Sequence, residues 1–492
     1  MIIRLILIIL LCSSCNERGE IINQRPNILF IMLDDLGKEW ISGYGASKIK
    51  TPAIDKLIST GLSFKNAYSM PQCTPTRVTL LTGQYPWRHG WINHFDVPRW
   101  GHGARFDSNL NPSFPKILRD AGYSTCAAGK WQINDFRIEP EAMIKAGFDE
   151  YCMWTGGEGG NIQLSQNRYW NPYIHTKSGS KVYKNKFGED VFTDFIIEFM
   201  KKNKDKPMMI YYPMCLPHGP LTTTPLEPKA PKSEQHKSMV RYADHILSVL
   251  IEALDQIGIR ENTIIIWTSD NGTSGNIIGD IKGKLVRGGK SMLSENGVNT
   301  PFVVNAPGIV PQGKVSDALI DFSDLLPTFC DLAQTKPDEK FKYDGVSFAP
   351  EIFGLENKSP RDWIMALGSN PARIENGRIK NAFNFRDRVF RDKIFKAYID
   401  TLNKIYEIIE LKSDFYEENN LLYSKRHDVR SAVKKFEVVL GKYPLSDSSP
   451  KYSKSEISYY DIDTVELLNL SKRGKLKINK TPPPKKITKV DM

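Results

Sequence analysis

From Arg25 to about Gly354 the chain alternates short apolar runs with longer amphipathic stretches, and no internal repeat or low-complexity break interrupts the alternation. That rhythm predicts an α/β fold built on a large, mostly parallel sheet sandwiched by helices. In sheets of this kind functional groups gather beyond the carboxyl ends of the strands. The residues that follow each apolar run therefore carry the most information.

Residues 27–33 (NILFIML) run into Asp34 and Asp35, and residues 262–268 (NTIIIWT) into Ser269, Asp270, Asn271 and Gly272. Residues 123–128 (YSTCAA) lead to Gly129, Lys130, Trp131 and Gln132, and residues 207–214 (PMMIYYPM) to Pro217 and His218. Singly these endings are ordinary. An aspartate after a strand commonly caps the next helix, a lone lysine is commonly solvated, and a histidine before Gly219 and Pro220 suits a turn. On one edge of a parallel sheet, however, they assemble three carboxylates, an amide, an ammonium and an imidazole. Carboxylates crowded into a desolvated pocket raise one another's pKa until a cation compensates them. A hard divalent ion does so. The oxygen donors of Asp34, Asp35, Asp270 and Asn271 favour Ca²⁺, with Mg²⁺ second, over zinc.

Composition narrows the class. The 492 residues are 40% hydrophobic and 25% charged, close to globular averages, which favours neither a membrane bundle nor a disordered chain. The net charge of +11 owes much to residues 472–489 (KRGKLKINKTPPPKKITK), so the body is only mildly basic. No aromatic-basic RNA signature, zinc spacing or recognition-helix pattern occurs, which argues against a nucleic-acid partner. At the amino end, MIIRLILIILLCSSCNERGE shows Arg4, an apolar run from Leu5 to Leu11 and small residues up to Cys15. This is the pattern of a secretory signal over residues 1–15, too short to span a bilayer stably. It also resembles a bacterial lipoprotein signal, in which Cys15 is lipidated and becomes the mature N-terminus, although Cys12 is atypical of such signals. The expected location is the periplasm or surface of a bacterium, with the membrane touched only through that lipid anchor.

Of the seven cysteines, Cys12 and Cys15 belong to the leader, and Cys126, Cys152, Cys215 and Cys330 have no paired spacing. No disulfide framework is expected, and Cys73 calls for another reason. It stands in PQCTPTRVTLLTG, residues 71–83. Pro75 suits the first turn of a helix and Thr74 is the expected cap. Cys73 then sits at or just before the positive end of the helix dipole, where an anion formed at that position is stabilised. Arg77, one turn on, falls on the same face and can bond an oxygen at position 73 or a ligand beside it.

C-x-P-x-R followed by a helix ending L-L-T-G resembles the signature of the type I sulfatases of the alkaline phosphatase superfamily. The likeness runs in the family's order through RPNILFIMLDDLG from Arg25, TPAIDKLISTGLSFKNAYSMPQCTPTRVTLLTGQYPWRHG, ILRDAGYSTCAAGKW, PMCLPHGP, NTIIIWTSDNG and RGGKSMLSENGVNTPFVVNAPG to DGVSF at Asp344. YEIIELKSDFYEENNLL from Tyr406 is similar to the family's closing element.

The resemblance implies that a separate formylglycine-generating, sulfatase-maturing enzyme oxidises Cys73 to formylglycine, an aldehyde whose hydrate attacks the sulfur of a sulfate ester. It maps Asp34, Asp35, Asp270, Asn271 and the modified residue 73 onto the calcium ligands, with Arg77 orienting the hydrate. Lys130 and Lys290 match the lysines that clamp sulfate, and His218 matches the histidine that contacts the ester and protonates the leaving oxygen. One position departs from the pattern. The family commonly has histidine two residues after the first lysine, where this chain has Gln132. Glutamine can hydrogen-bond an oxygen of the substrate but cannot transfer a proton, so acid-base work falls on His218. His89, just after the motif helix, reads as a supporting structural residue.

The same resemblance makes residues 25–354 a catalytic domain and 355–444 a smaller antiparallel sheet with a helix. Within the latter, RDRVFRDKIFKAYI (386–399) reads as surface strand alternation, and residues 445–492 as a variable basic extension. The implied function is hydrolysis of a sulfuric ester of a sulfated small molecule or saccharide. The alternatives are a phosphonate or phosphate monoester hydrolase of the same superfamily, and a binder of sulfated glycan that has lost turnover.

Overall fold

The computed structural model describes residues 25–453 except 92–104, 135, 137–138, 155–166, 356–358, 369–371, 376–377 and 382. The leader with Cys12 and Cys15, and the basic tail, lie outside these residues. The strands β1 (Asn27–Leu33), β2 (Leu62–Tyr68), β3 (Ser124–Lys130), β4 (Glu150–Trp154), β5 (Tyr173–Thr176), β6 (Gly179–Val182), β7 (Met208–Pro213) and β8 (Thr263–Ser269) precede a small hairpin, β9 (Ile278–Ile281) and β10 (Lys284–Arg287). With β11 (Phe302–Asn305) and β12 (Lys314–Asp321), the first eight make a ten-stranded sheet in the order β12-β2-β11-β8-β1-β7-β3-β4-β5-β6. The central block β8-β1-β7-β3-β4 is parallel throughout. β11 runs antiparallel to both of its neighbours, and so does β5.

The apolar runs are continuous because both faces of the sheet are covered. In β1 all seven residues are buried. Ile28, Phe30 and Met32 enter the core on one face, packed with Val78, Leu80, Leu81 and Phe329. Leu29, Ile31 and Leu33 enter the core on the other, packed with Phe192, Ile196, Leu247 and Leu250. The helices Cys73–Thr82 and Leu325–Leu332 thus cover one side, and Gly188–Asn203 and Gln235–Ile257 the other. Fully burying one such aliphatic side chain is worth about 1.5–3 kcal/mol. Among the described residues no helix is long and apolar enough to cross a membrane. Cys73, Cys126, Cys152, Cys215 and Cys330 are all free and buried, as their spacing predicts.

Close to the carboxyl edge, β3 passes β7 so tightly that a Cβ on Gly129 would lie 2.0 Å from the Pro213 carbonyl oxygen, and the residue has φ 115°. Only glycine fits there, which fixes where the next residue, Lys130, leaves the sheet.

The second sheet has four antiparallel strands, β13 (Ile364–Leu367), β16 (Arg388–Arg391), β17 (Phe395–Ile399) and β18 (Ile405–Glu410), in the order β13-β16-β17-β18. A hairpin of β14 (Ala372–Glu375) and β15 (Arg378–Asn381) interrupts it, and the helix His427–Leu440 packs on it. Residues 386–399 do not form the exposed alternating strand that their charges predict. Arg386, Arg388, Arg391 and Lys396 are all buried, because distant acids neutralise them. Arg391 Nη1 bonds Glu295 at 2.8 Å, and Lys396 Nζ lies 2.9 Å from Glu417. Arg386 and Arg388 share Asp447, at 3.1 and 2.8 Å. The start of the expected extension is therefore packed structure, and Ser448 N–H also bonds the Trp87 carbonyl.

Removing one partner of a buried ion pair leaves an uncompensated charge at a cost of about 3–5 kcal/mol. Asp447→Ala strands two buried guanidinium groups at once. Denaturant unfolding is expected to show a loss of about that size. A change under about 1 kcal/mol would mean that solvent reaches the pair.

Candidate active site

Because β8, β1, β7 and β3 are consecutive parallel neighbours, their carboxyl ends lie side by side at the usual spacing of about 4.8 Å. Asp34 and Asp35 follow β1, Asp270 and Asn271 follow β8, Lys130 ends β3, and His218 follows β7. The edge read from the strand endings is thus real.

Each acid on it meets a cation. Lys130 Nζ bonds Asp34 Oδ2 at 2.5 Å. Lys290 Nζ reaches Asp35 Oδ1 at 2.6 Å, and Arg77 Nη2 bonds Asp270 Oδ2 at 2.9 Å and lies 3.8 Å from Asp34. Asn271 Nδ2 donates to Asp35 Oδ1 at 2.7 Å. Three cations therefore balance the three carboxylates, and charge alone does not demand a metal. Asp34 Oδ1 and Asn271 Oδ1 are buried acceptors with no hydrogen-bond partner among the described residues, a costly state for two oxygens in one cluster. Burial and the neighbouring Asp34 also raise Asp270 above the usual carboxylate range despite Arg77. In contrast, Lys130, His218, Arg77 and Lys290 overcome burial and hold Asp34 well below that range. An oxygen-rich pocket with free lone pairs and one carboxylate tending to protonate fits a hard cation.

Cys73 belongs to the same cluster, since one ligand atom each of Asp34, Cys73 and Asp270 lie within 4.8 Å of one another. Its helix begins at Cys73 itself. Gln72 holds the N-cap position and no side chain caps the helix, which corrects the expected cap at Thr74. The helix is secured instead by Thr76, whose Oγ1 donates to the Asp270 carbonyl, 2.8 Å away. Arg77 lies where its spacing puts it, but its Nη atoms serve Asp270 and, at 3.0 Å, the Lys130 carbonyl. Lys290 reaches the cluster from the loop after β10, tied by its own N–H to the Thr273 carbonyl and by Ser291 N–H to the Pro71 carbonyl just before the motif.

His218 is 21% exposed on its side chain and presents Nε2 to Asp35 at 3.6 Å. Burial pushes its pKa below the ordinary imidazole value, more than Asp35 and Asp34 pull it up. Nδ1 lies 2.6 Å from the Gly219 carbonyl, which can only accept, and 3.2 Å from Arg168 Nη1, which can only donate; the shorter contact favours the tautomer with the proton of the neutral ring on Nδ1. Nε2 is then the atom that takes up or releases a proton. The turn is pinned by Tyr169, whose hydroxyl bonds the Cys215 and His218 carbonyls at 2.6 and 2.5 Å, and by Glu189, which accepts from Cys215 N–H. Thr76, Tyr169 and Glu189 carry no signal in the sequence that singles them out.

Gln132 is buried with φ 65° and its Oε1 makes no hydrogen bond among the described residues. Asp35 and Ser291 share this left-handed conformation, with φ 66° and 71°. Such strain in residues with side chains persists where the surroundings overdetermine it, often at functional sites. His89 is structural, as expected. Nε2 lies 3.1 Å from Thr79 Oγ1, Nδ1 accepts from Trp91 N–H, and burial with the Arg386 charge holds the ring neutral.

Comparison with known proteins adds the family. N-acetylgalactosamine-6-sulfatase of Canis lupus familiaris is 27% identical over 365 residues, covering 67% of this chain and 66% of that protein. The chain thus spans just under two thirds of that relative. The ulvan-active sulfatase of Formosa agariphila is 28% identical over 418 residues, 81% of this chain and 70% of that one. The crystal structure of Ps i-CgsB in complex with k-i-k-neocarrahexaose superposes with a TM-score of 0.70 at 25% identity, covering 91% of this chain and 97% of that chain. The sulfatase family model matches residues 26–335, the stretch that carries every residue of the cluster, and the chain belongs to the sulfatase family.

Proposed function

We propose that this protein hydrolyses the sulfate ester of a sulfated saccharide, with residue 73, oxidised from cysteine to formylglycine, supplying the attacking hydroxyl. The observation that carries the reading is the placement of Cys73 at the first turn of its helix, within 4.8 Å of Asp34 and Asp270 ligand atoms. A thiol there has no disulfide partner. An oxygen nucleophile there would stand at the positive helix end beside fixed cations. The saccharide follows from the relatives, one named for N-acetylgalactosamine 6-sulfate, one active on ulvan, and a solved neighbour holding a neocarrahexaose.

Asp34, Asp35, Asp270 and Asn271, with residue 73, would hold Ca²⁺. The ion supplies a fixed double positive charge that favours the deprotonated form of a nearby hydroxyl. Lys130 and Lys290 meet the non-bridging sulfate oxygens, whose charge must be matched in the transition state. His218 Nε2, once it has taken up a proton from solvent and made the ring an imidazolium, gives that proton to the leaving sugar oxygen. Gln132 offers the substrate hydrogen bonds without proton transfer. A formylglycine-generating enzyme is the implied maturation partner. Export and lipidation at Cys15 complete the reading, which places the enzyme where polysaccharide is accessible.

The deciding experiment compares sulfate and phosphonate esters of one aryl alcohol. The expected result is kcat/KM for the sulfate at least about tenfold higher, a difference of about 1.4 kcal/mol. The reverse order would make the protein a phosphonate hydrolase.

Adding calcium to chelator-treated protein is expected to raise Tm, since a ligand at 100 times its Kd stabilises by about 2.7 kcal/mol. Magnesium is expected to do less. No shift with either ion would count against the oxygen-lined site.

A further inference from the structure

Arg77, Lys130 and Lys290 each face a carboxylate, but a fourth cation at the site does not. Arg168 is only 8% exposed. Its guanidinium lies 4.0 Å over the Trp154 ring, and Nη1 comes within 3.2 Å of His218 Nδ1. That nitrogen already gives its proton to the Gly219 carbonyl, so it has no lone pair in the ring plane for Arg168. Among the described residues Arg168 Nε is buried with no acceptor, and no carboxylate forms an ion pair with the guanidinium. An always-charged group, nine-tenths buried, oriented by an indole face and paired with no anion among the described residues, is costly unless a ligand supplies one.

His218 presents Nε2 to Asp35 and Nδ1 to Arg168, so Arg168 lies across the imidazole from the acid cluster. The scissile sulfate belongs on the cluster side, with Lys130 and Lys290. What reaches Arg168 therefore belongs to the sugar beyond the leaving oxygen. We propose that Arg168 binds a second anionic oxygen group, a carboxylate or a further sulfate, on the saccharide whose sulfate ester is cleaved. This rests on the ester hydrolase reading above and extends it to a substrate class: sugars bearing two anions, or sulfated sugars joined to a uronate. The guanidinium fork matches either planar or tetrahedral oxyanions by paired N–H donors.

The test compares N-acetylgalactosamine 6-sulfate, N-acetylgalactosamine 4,6-disulfate and a glucuronate-linked disaccharide of the 6-sulfate, using wild type, Arg168→Gln and Arg168→Lys. The measure is the ratio of kcat/KM for each dianionic sugar to that for the monosulfate, so any shared loss from folding or His218 placement cancels. The wild type is expected to prefer one dianionic sugar, and which one it prefers separates sulfate from carboxylate. Arg168→Gln should lower that ratio about 10- to 100-fold, chiefly through KM, as loss of a charge-assisted hydrogen bond does. Arg168→Lys should restore part of it. A wild type with no preference, or equal losses on all three sugars, overturns the proposal. If converted protein turns over no sulfate ester, the hydrolase reading fails by itself. Kd ratios for the same three sugars by calorimetry then decide the Arg168 proposal under the same criteria.

Discussion

Cys73→Ala is expected to abolish turnover, with kcat lower by about 10⁴- to 10⁶-fold, the range seen when a covalent nucleophile is removed. The size of the effect follows from what residue 73 does and does not do in the structure. It occupies the first position of the Cys73–Thr82 helix, whose cap is Gln72, and no side chain caps the helix, so alanine removes no cap. Alanine is also the best helix former, and the excised sulfur is one small buried atom. The fold is therefore expected to survive, with a stability change of about 1 kcal/mol. Asp34, Asp270, Lys130 and Lys290 stay paired as they are, because none of their bonds passes through the thiol. What disappears is the reacting group, which on the same reading is also one of the groups that would hold the ion. Mass spectrometry of the wild-type peptide holding residue 73 should show formylglycine in place of the thiol. A C73A protein retaining more than a tenth of wild-type kcat, or native material holding only unmodified cysteine, would end the formylglycine reading.

The sequence exposed those parts of the site that sit at the ends of strands. Apolar runs buried on both faces stop abruptly, so Asp34, Asp35, Asp270, Lys130 and His218 announce themselves by contrast, and Asn27–Leu33 was bounded to the residue. Lys290 had no such contrast. It lies on a loop after a hairpin, and only its likeness to a family motif pointed to it. Partners far apart in the chain were not legible. The charges of residues 386–399 alternate as on an exposed strand, and what buries them is Asp447, 59 residues from Arg388, and Glu295, 96 residues from Arg391. Counting carboxylates suggested a cation, but three basic side chains already supply the charge, and the unpaired oxygens of Asp34 and Asn271 carry the point instead. Periodicity encodes which face of an element is buried; it does not encode which distant charge makes that burial tolerable.

His218→Gln is expected to separate substrates by their leaving groups. Loss of a general acid costs about 10²- to 10⁴-fold where the departing oxygen needs a proton. A sugar alkoxide needs one badly, and a phenolate from an acidic phenol hardly at all. The variant should therefore lose that factor on a saccharide sulfate and much less on an aryl sulfate with a strongly acidic phenol. The geometry makes the split informative. The Gly219 carbonyl holds the proton of Nδ1, so Nε2, facing Asp35 at 3.6 Å, is the only ring atom with a variable proton. Gln132 cannot ionise, His89 is engaged with Thr79 and Trp91, and the ammonium groups of Lys130 and Lys290 are held by Asp34 and Asp35. Glutamine keeps a hydrogen-bonding side chain at position 218, and the turn stays pinned through backbone carbonyls by Tyr169. Equal losses on both esters would show that His218 positions the substrate and donates no proton, and the acid would then have to come from solvent.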